Sequence, residues 1–357
     1  MENQVKKSEI LFLYETSYNI PNGDPFTGEQ RYDEETKKIL VSDVRMKRYV
    51  RDYLNEKGQD IYVVNDKSFA EGDESGSAAR IKSLQNKFKA EIEAEQNQAK
   101  QEKRQFSPAL FSIKKCIDVK LFGGIATGKG DAVNLTGPVQ FSLLNPSFNE
   151  VVLRMHQNTS VFTSSAENKQ GAIGTTTLVP YSLVQIHGWV NPKVAEKTGM
   201  IPKDLKLMYE GLWYGTSGDG SSHSRSKIGQ NSVLLLEIEY AANNQKIYGV
   251  DRLIELKPKN DKKGEQLRSM DDYELDFSKL FEKAKEEKVL KIKFYTEIDS
   301  FKKLFTDKAT LTSALTQITK EEGKEDVIVK PEDKDVDILF KKFEEIKFEE
   351  NKKEEVK

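Results

Sequence analysis

The chain has 357 residues, 37% of them hydrophobic and 32% charged, with a formal net charge of −2. That length suffices for a large core and one to three domains, and the near-neutral charge excludes a globally basic nucleic-acid binder, so any such surface must be local. The single cysteine, Cys116, excludes an intrachain disulfide and a cysteine-based zinc site; no apolar run approaches the ~20 residues of a membrane span, and MENQVKKSEI lacks a signal-peptide core, so a soluble cytoplasmic protein with no membrane contact is expected.

Ser8 to Thr16, SEILFLYET, reads as a buried strand. It runs into YNIPNGDP, Tyr18 to Pro25, a turn signal with two prolines around Asn22, Gly23 and Asp24. Leu40 to Leu54, LVSDVRMKRYVRDYL, then reads as a helix. Its residues Met46, Tyr49, Val50, Tyr53 and Leu54 fall on one face; Lys47, Arg48 and Arg51 fall opposite, with Arg45 at the margin. Ser42 stands where an N-cap belongs, and Asp43 suits the positive end of the dipole. A strand, a glycine-bearing loop and a basic helix form a unit suited to a phosphate chain, since loop amides and a helix N-terminus both face anions.

Residues 58–112 break the pattern. EGDESGSAA, Glu71 to Ala79, is a polar loop, and Lys82 to Lys103 reads as an exposed helix or helix pair inserted into the main domain. Pro108 to Phe122 is expected to be helical, with Pro108 near its start. Glycines follow at 123, 124, 128 and 130. Leu135 to Leu144 and Glu150 to Met155 read as strands, with Pro138 marking an edge or a strand start. His156 to Thr177 is polar throughout and should project as a hairpin or loop. Leu178 to Val190 returns to strand character, Pro202 to Tyr214 is a helix, and Gly215 to Gln230 is a Gly/Ser loop carrying Arg225 and Lys227. Ser232 to Ala241 is a strand and Tyr248 to Leu256 reads as a further one; Phe277 to Lys288 is a helix and Val289 to Thr296 a strand. This irregular alternation favours an α+β fold. Beyond about 320 the chain is mostly Lys, Glu and Asp, with one amphipathic helix expected through Ile338, Leu339, Phe343 and Ile346 and the last ten residues frayed.

GGIATGKG, Gly123 to Gly130, nearly matches the phosphate loop of NTPases. Gly130 stands where a magnesium-holding hydroxyl belongs, and the order of elements is reversed, so the NTPase reading fails. The three histidines, His156, His187 and His223, have no metal-ligand spacing. Asp24 and Asp33 flank the first loop and could hold a metal for phosphodiester cleavage, although turn formation is the simpler role of Asp24. What remains is a set of loops for backbone phosphate: the NGD loop, the basic helix, the 123–130 glycines and the SRSK loop at 224–227. With no RNP aromatic signature, recognition should rest on phosphate, sugar and shape.

YNIPNGDP with LVSDVRMKRYVRDYL, CIDVKLFGG with LTGPVQFS, VPYSLVQIHGW, and SRSK before VLLLEIEY occur in that order over roughly residues 8–256. Together they resemble the Cas-seven family of the RAMP superfamily, in its type I-B form: the backbone subunit of the CRISPR surveillance complex Cascade. The resemblance implies an RRM-like (ferredoxin-like) palm over 1–57, 113–156 and 178–319, inserted helical fingers at 58–112, a projecting thumb at 157–177, and a charged C-terminal extension at 320–357. It implies a guide-RNA (crRNA) filament subunit that packs against copies of itself and other Cascade subunits and presents the guide to target DNA. Asn22, Gly23, Ser42, Arg45, Lys47, Arg48, Arg51, Gly123, Gly124, Ser224, Arg225, Ser226 and Lys227 would line the RNA. No catalytic residue, metal or cofactor is expected. The alternatives are a metal-dependent RAMP endoribonuclease using Asp24 or Asp33, and a stand-alone RNA-binding protein.

Overall fold

In the computed structural model residues 4–64, 76–126, 133–159, 173–218, 224, 226–319 and 327–348 are described. The first strand, β1 (Ser8–Asn19), is apolar on both sides, and so takes the middle of a sheet covered on both faces. Ile10, Phe12 and Tyr14 enter one core; Leu11 and Leu13 enter the other, as the two-residue period of a strand demands.

Helix α1 (Asp43–Glu56) follows. The five residues expected on its apolar face, Met46, Tyr49, Val50, Tyr53 and Leu54, are its buried residues. After the inserted segment come β2 (Val139–Phe141), β3 (Ile173–Val190), α2 (Pro202–Ser217), β4 (Gln230–Tyr240), β5 (Val289–Tyr295) and β6 (Phe343–Glu345). The strand order is β6-β5-β4-β1-β3-β2. Neighbours are antiparallel except β5 and β6, which are parallel. Leaving aside the shorter and inserted elements between them, β1, α1, β2, β3, α2 and β4 run strand, helix, two strands, helix and strand, with their strands ordered β4-β1-β3-β2.

Helices α1 and α2 cover one face. They approach closely because α2 turns Gly211 and Gly215 toward α1: a Cβ at Gly215 would stand 2.7 Å from the Tyr49 carbonyl oxygen, and one at Gly211 3.2 Å from Val50. The chain from Ile247 onward covers the other face with Phe277, Leu280, Phe281, Phe305, Val336 and Leu339.

The inserted segment forms helices Ser77–Lys87 and Lys89–Gln101 and carries a small core of its own, with Ile81 and Leu84 packed against Ala109, Ile113, Cys116 and Val119. Burial pushes the Cys116 thiol up to about 12, so it stays protonated and inert.

Several local expectations are corrected. The helix expected over 108–122 is two, Pro108–Lys114 and Ile117–Phe122, divided at Cys116, whose backbone is extended. Pro108 does stand in its first turn, capped by Ser107. The strand expected over 135–144 breaks at Gly137 and Pro138 into Val133–Thr136 and β2. The one expected at 150–155 lies later, at Arg154–Thr159, and pairs with the first part of β3 as a two-stranded ribbon. Residues 160–172 of the expected projection lie outside the described residues. Within 248–256 only Glu255 and Leu256 are in a strand (Glu255–Pro258), which follows a short 3-10 turn, Val250–Arg252. The helix expected through Ile346 ends at Phe340 (Asp333–Phe340), and Phe343 to Glu345 join the main sheet as β6. No helix of the described residues is long and apolar enough to cross a membrane.

Candidate nucleic-acid interface

At one end of the sheet, three segments meet: the loop after β1, the start of α1, and the loop entering β4. The Ile20 amide donates to Ser226 O (2.9 Å) and the Ser17 amide to Gly229 O (2.9 Å). Gly229 has φ +94, and a Cβ there would stand 2.6 Å from Ser17 O, so this approach demands glycine. Asn22 is buried. Its Oδ1 accepts from the Ser42 backbone amide (2.6 Å) and the Ser42 hydroxyl (2.8 Å), and its backbone N–H donates to Gln30 Oε1 (2.8 Å). Ser42 holds the N-cap position with extended backbone, but its hydroxyl is spent on Asn22 and caps nothing. Together Asn22 and Ser42 tie the first loop, Gly23 included, to the helix entry.

The four cations of α1 divide by surroundings. Lys47 pairs with Asp43 (3.0 Å), and Arg48 with Asp52 (2.5 Å) on the exposed side. Arg51, expected to face outward, is 12% exposed; it pairs at 3.1 Å with Asp118, a fully buried carboxylate that also accepts from the amides of Tyr62 and Val63. Helix Ile117–Phe122 lies over that flank of α1, and Lys47 and Arg51 both stand over the Phe122 ring. Arg51 thereby ties α1 to the segment leading into the insertion. The signal for this was Asp118 inside the apolar run CIDVKLF, since a carboxylate buried there needs a cation or several donors.

Arg45 differs. Its guanidinium lies 4.0 Å over the Tyr49 ring, and its Nε and Nη2 are shielded from solvent with no hydrogen-bond partner among the described residues. Tyr49 exchanges hydrogen bonds with Gln230 (3.1 and 2.8 Å), and Gln230 donates to Lys227 O (2.8 Å). Lys227 is buried, donates to Ile20 O, and has its ammonium brought down to about 8, first by burial and then by the charge of Arg45. Two cations therefore share this corner with each other. Ser224 and Ser226 sit beside it, their hydroxyls 2.9 Å apart; Arg225 lies outside the described residues.

Next to this corner a cleft of about 440 Å³ is lined by the 27–29 turn, by Thr175 to Thr177 at the root of the ribbon, and by Ser224 and Ser226. The turn is locked by Asp24, which accepts from the amides of Phe26 (2.9 Å) and Thr27 (3.4 Å) and pairs with Arg31 (3.2 Å). At its tip Phe26 is 96% exposed. Neither Phe26 nor the threonine run stood out in the sequence as a site. Asp33 accepts from Thr36 (2.7 Å) and the Glu35 amide (3.1 Å). Hydrogen bonds hold both carboxyls below the ordinary value, for Asp24 first that from Phe26 and for Asp33 that from Thr36. Among the described residues no group of three His, Cys, Asp or Glu side chains is placed to hold a metal.

Gly123 and Gly124 are not in a phosphate loop. They open a strand, Gly123–Ala126, paired with Val133–Thr136. At Gly123 (φ +79) a Cβ would stand 2.0 Å from Leu135 O, so this glycine serves a backbone crossing. Residues 127–132, Lys129 among them, lie outside the described residues. The structure thus brings Asn22, Ser42, Arg45, Ser224, Ser226 and Lys227 together at one flank of α1, and Lys47, Arg51 and Gly123 at the other around Phe122.

Residues 6–278 match the family model described as CRISPR-associated protein Cas7. The chain belongs to the Cas7 family. A CRISPR-associated protein Cas7 from Haloferax volcanii is 29% identical over 298 residues, covering 78% of this chain and 82% of that protein. Among solved structures, a chain of a CRISPR RNA-guided surveillance complex described as pre-nicking matches with a TM-score of 0.46 at 12% identity, over 82% of this chain and 93% of that one. A chain of another CRISPR RNA-guided surveillance complex gives 0.45 at 14% identity, over 82% and 90%.

Proposed function

We propose that this Cas7-family chain is the guide-RNA-binding backbone subunit of a CRISPR surveillance complex of the type I-B kind. The observation that carries the RNA contact is Arg45. Buried guanidinium nitrogens without a partner are costly, and a second cation, Lys227, stands beside them. A backbone phosphate supplies the missing acceptor and the missing negative charge together. The order β4-β1-β3-β2, with two helices on one face, is that of a ferredoxin-like unit and supports reading the main sheet as the palm. In an RRM the other sheet face stacks bases. Here that face is buried beneath the second core, which favours a guide that runs along the loops at the sheet end. The inserted helices serve as fingers and the 157–177 segment as thumb. Copies assemble along the guide beside other subunits in the cytoplasm, and the guide pairs with target DNA.

The reading is non-enzymatic. Asp24 and Asp33 are committed to their own turns, and their carboxyls are held as ordinary ionised acceptors; two-metal cleavage needs carboxylates converging on ions roughly 4 Å apart. The test is purification with bound RNA. Wild type should retain a short RNA with repeat-derived ends, and Arg45→Ala should release it at lower salt. A chain that purifies without RNA, or an Arg45→Ala variant that holds it equally, overturns the assignment. Cleavage of labelled complementary RNA by the assembled complex in Mg²⁺, abolished by Asp24→Ala or Asp33→Ala, would replace it with the nuclease reading.

A further inference from the structure

A second groove, of about 720 Å³, lies at the other end of the sheet, between the start of β1, the end of β3 and the 243–252 loop. It is roughly 30 Å from the Arg45 corner along β1, at about 3.3 Å of rise per strand residue. Two aromatic rings are presented to solvent there: Trp189 is 42% exposed and Tyr248 83%. Trp189 is held from behind. Its ring meets that of His187 at 5.0 Å; His187 Nε2 is 2.8 Å from Glu9, and Glu9 also accepts from Tyr240 (2.7 Å), whose hydroxyl in turn accepts from the Ile247 amide (3.0 Å). The guanidinium of Arg252 stands 5.4 Å from the centre of the Tyr248 ring. The charged groups facing the groove are Lys7, Lys193, Lys246 and Arg252 against Glu9 and Asp251. Four cations stand against two carboxylates, so the net charge lining the groove is positive.

Lysine is depleted at the centre of protein interfaces, whereas cations interleaved with exposed aromatic faces suit a single nucleic-acid strand: phosphates meet the cations and unstacked bases meet the rings. A duplex hides its base faces from such rings. We infer that this groove holds an unpaired DNA strand, the one displaced when the guide pairs with a duplex target. The inference rests on the guide-RNA reading, because pairing a guide with one strand of a duplex expels the other. A strand held at the far end of the sheet is kept from re-pairing.

The experiment uses the guide-loaded assembly and a fluorescein-labelled oligothymidine unrelated to the guide. Wild type should bind it, and the same sequence as a duplex should not compete. Trp189→Ala with Tyr248→Ala should weaken binding at least tenfold, and Trp189→Phe with Tyr248→Phe should restore most of it. Lys246→Ala with Arg252→Ala should weaken binding and flatten the salt slope by roughly 0.7 per lost phosphate contact. Guide retention, measured separately, should be unchanged in every variant; its loss in wild type would overturn the guide-RNA reading instead. On a matched duplex target, ultraviolet crosslinking at Trp189 should label the displaced strand. Oligothymidine binding absent from wild type or equal in the alanine variants, crosslinking to the guide, or loss of contact between copies in the alanine variants would each overturn the inference.

Discussion

Arg45 and Arg51 stand on one helix and differ in their neighbours: Arg51 has a buried carboxylate beside it, whereas Arg45 has none among the described residues, and it is Arg45 that we propose as the RNA contact. Removing Arg51 leaves the Asp118 carboxylate buried without its cation, and breaking a buried pair from one side costs about 3 kcal/mol. Arg51→Ala should lower the urea midpoint accordingly with an unchanged slope, while Arg45→Ala should keep stability within about 1 kcal/mol and lose RNA affinity. Lys227 adds a pH dependence. Its folded value is about 8 and its unfolded value about 10.4. Between these the unfolded chain holds a proton that the folded chain has released, so stability rises with pH across that window, and the cost of the buried charge is fully present below about pH 8. RNA binding runs the other way, because phosphate favours the ammonium. From pH 7 to 9.5 wild-type affinity should fall by roughly tenfold, the worth of one charge-assisted contact of about 1.5 kcal/mol, beyond any change seen in Lys227→Met.

At the scale of elements, the contact between α1 and α2 decides where the Arg45 corner sits. Gly211 and Gly215 recur one helical turn apart and let the α1 backbone come close. A methyl at 215 must push against the Tyr49 carbonyl, and Tyr49 carries both the Arg45 guanidinium and the link to Gln230. Gly215→Ala should destabilise by about 2 kcal/mol, as overpacking does, and should weaken RNA binding although residue 215 lies outside the proposed Arg45 corner. The measurement is paired: thermal or urea unfolding, and RNA binding under conditions where the variant is fully folded. A loss of stability with RNA affinity unchanged would mean that the corner tolerates movement of α1.

For the whole molecule, the second core makes the C-terminal part integral to the sheet. Helix Asp333–Phe340 buries Val336 and Leu339 against Phe281 and Phe305, and β6 pairs in parallel with β5. Leu339→Ala should cost about 3 kcal/mol, read from the urea midpoint, and should leave RNA affinity unchanged in the folded fraction. A truly peripheral extension would show no effect on stability.

The sequence by itself determined the elements whose residues carry their own periodicity. β1 carries an unbroken apolar run, Ile10 to Tyr14, that had to be covered on both faces; Met46, Tyr49, Val50, Tyr53 and Leu54 of α1 repeat at helical spacing and are its buried residues, while Val44 stays exposed. The loops with Asn22, Gly23 and Ser224 to Lys227 declared themselves by turn chemistry. Tertiary structure alone decided the rest, because pairing and burial depend on what lies opposite. Phe343 to Glu345 carry two acidic residues and no alternating pattern, and become a strand only because the edge of β5 has backbone groups to pair. Arg51 reads as an outward cation until Asp118 is folded beside it. Arg45 and Lys227 are far apart in sequence, and only the meeting of the first loop with the β4 entry brings the two cations together, the juxtaposition on which we base the proposed phosphate contact.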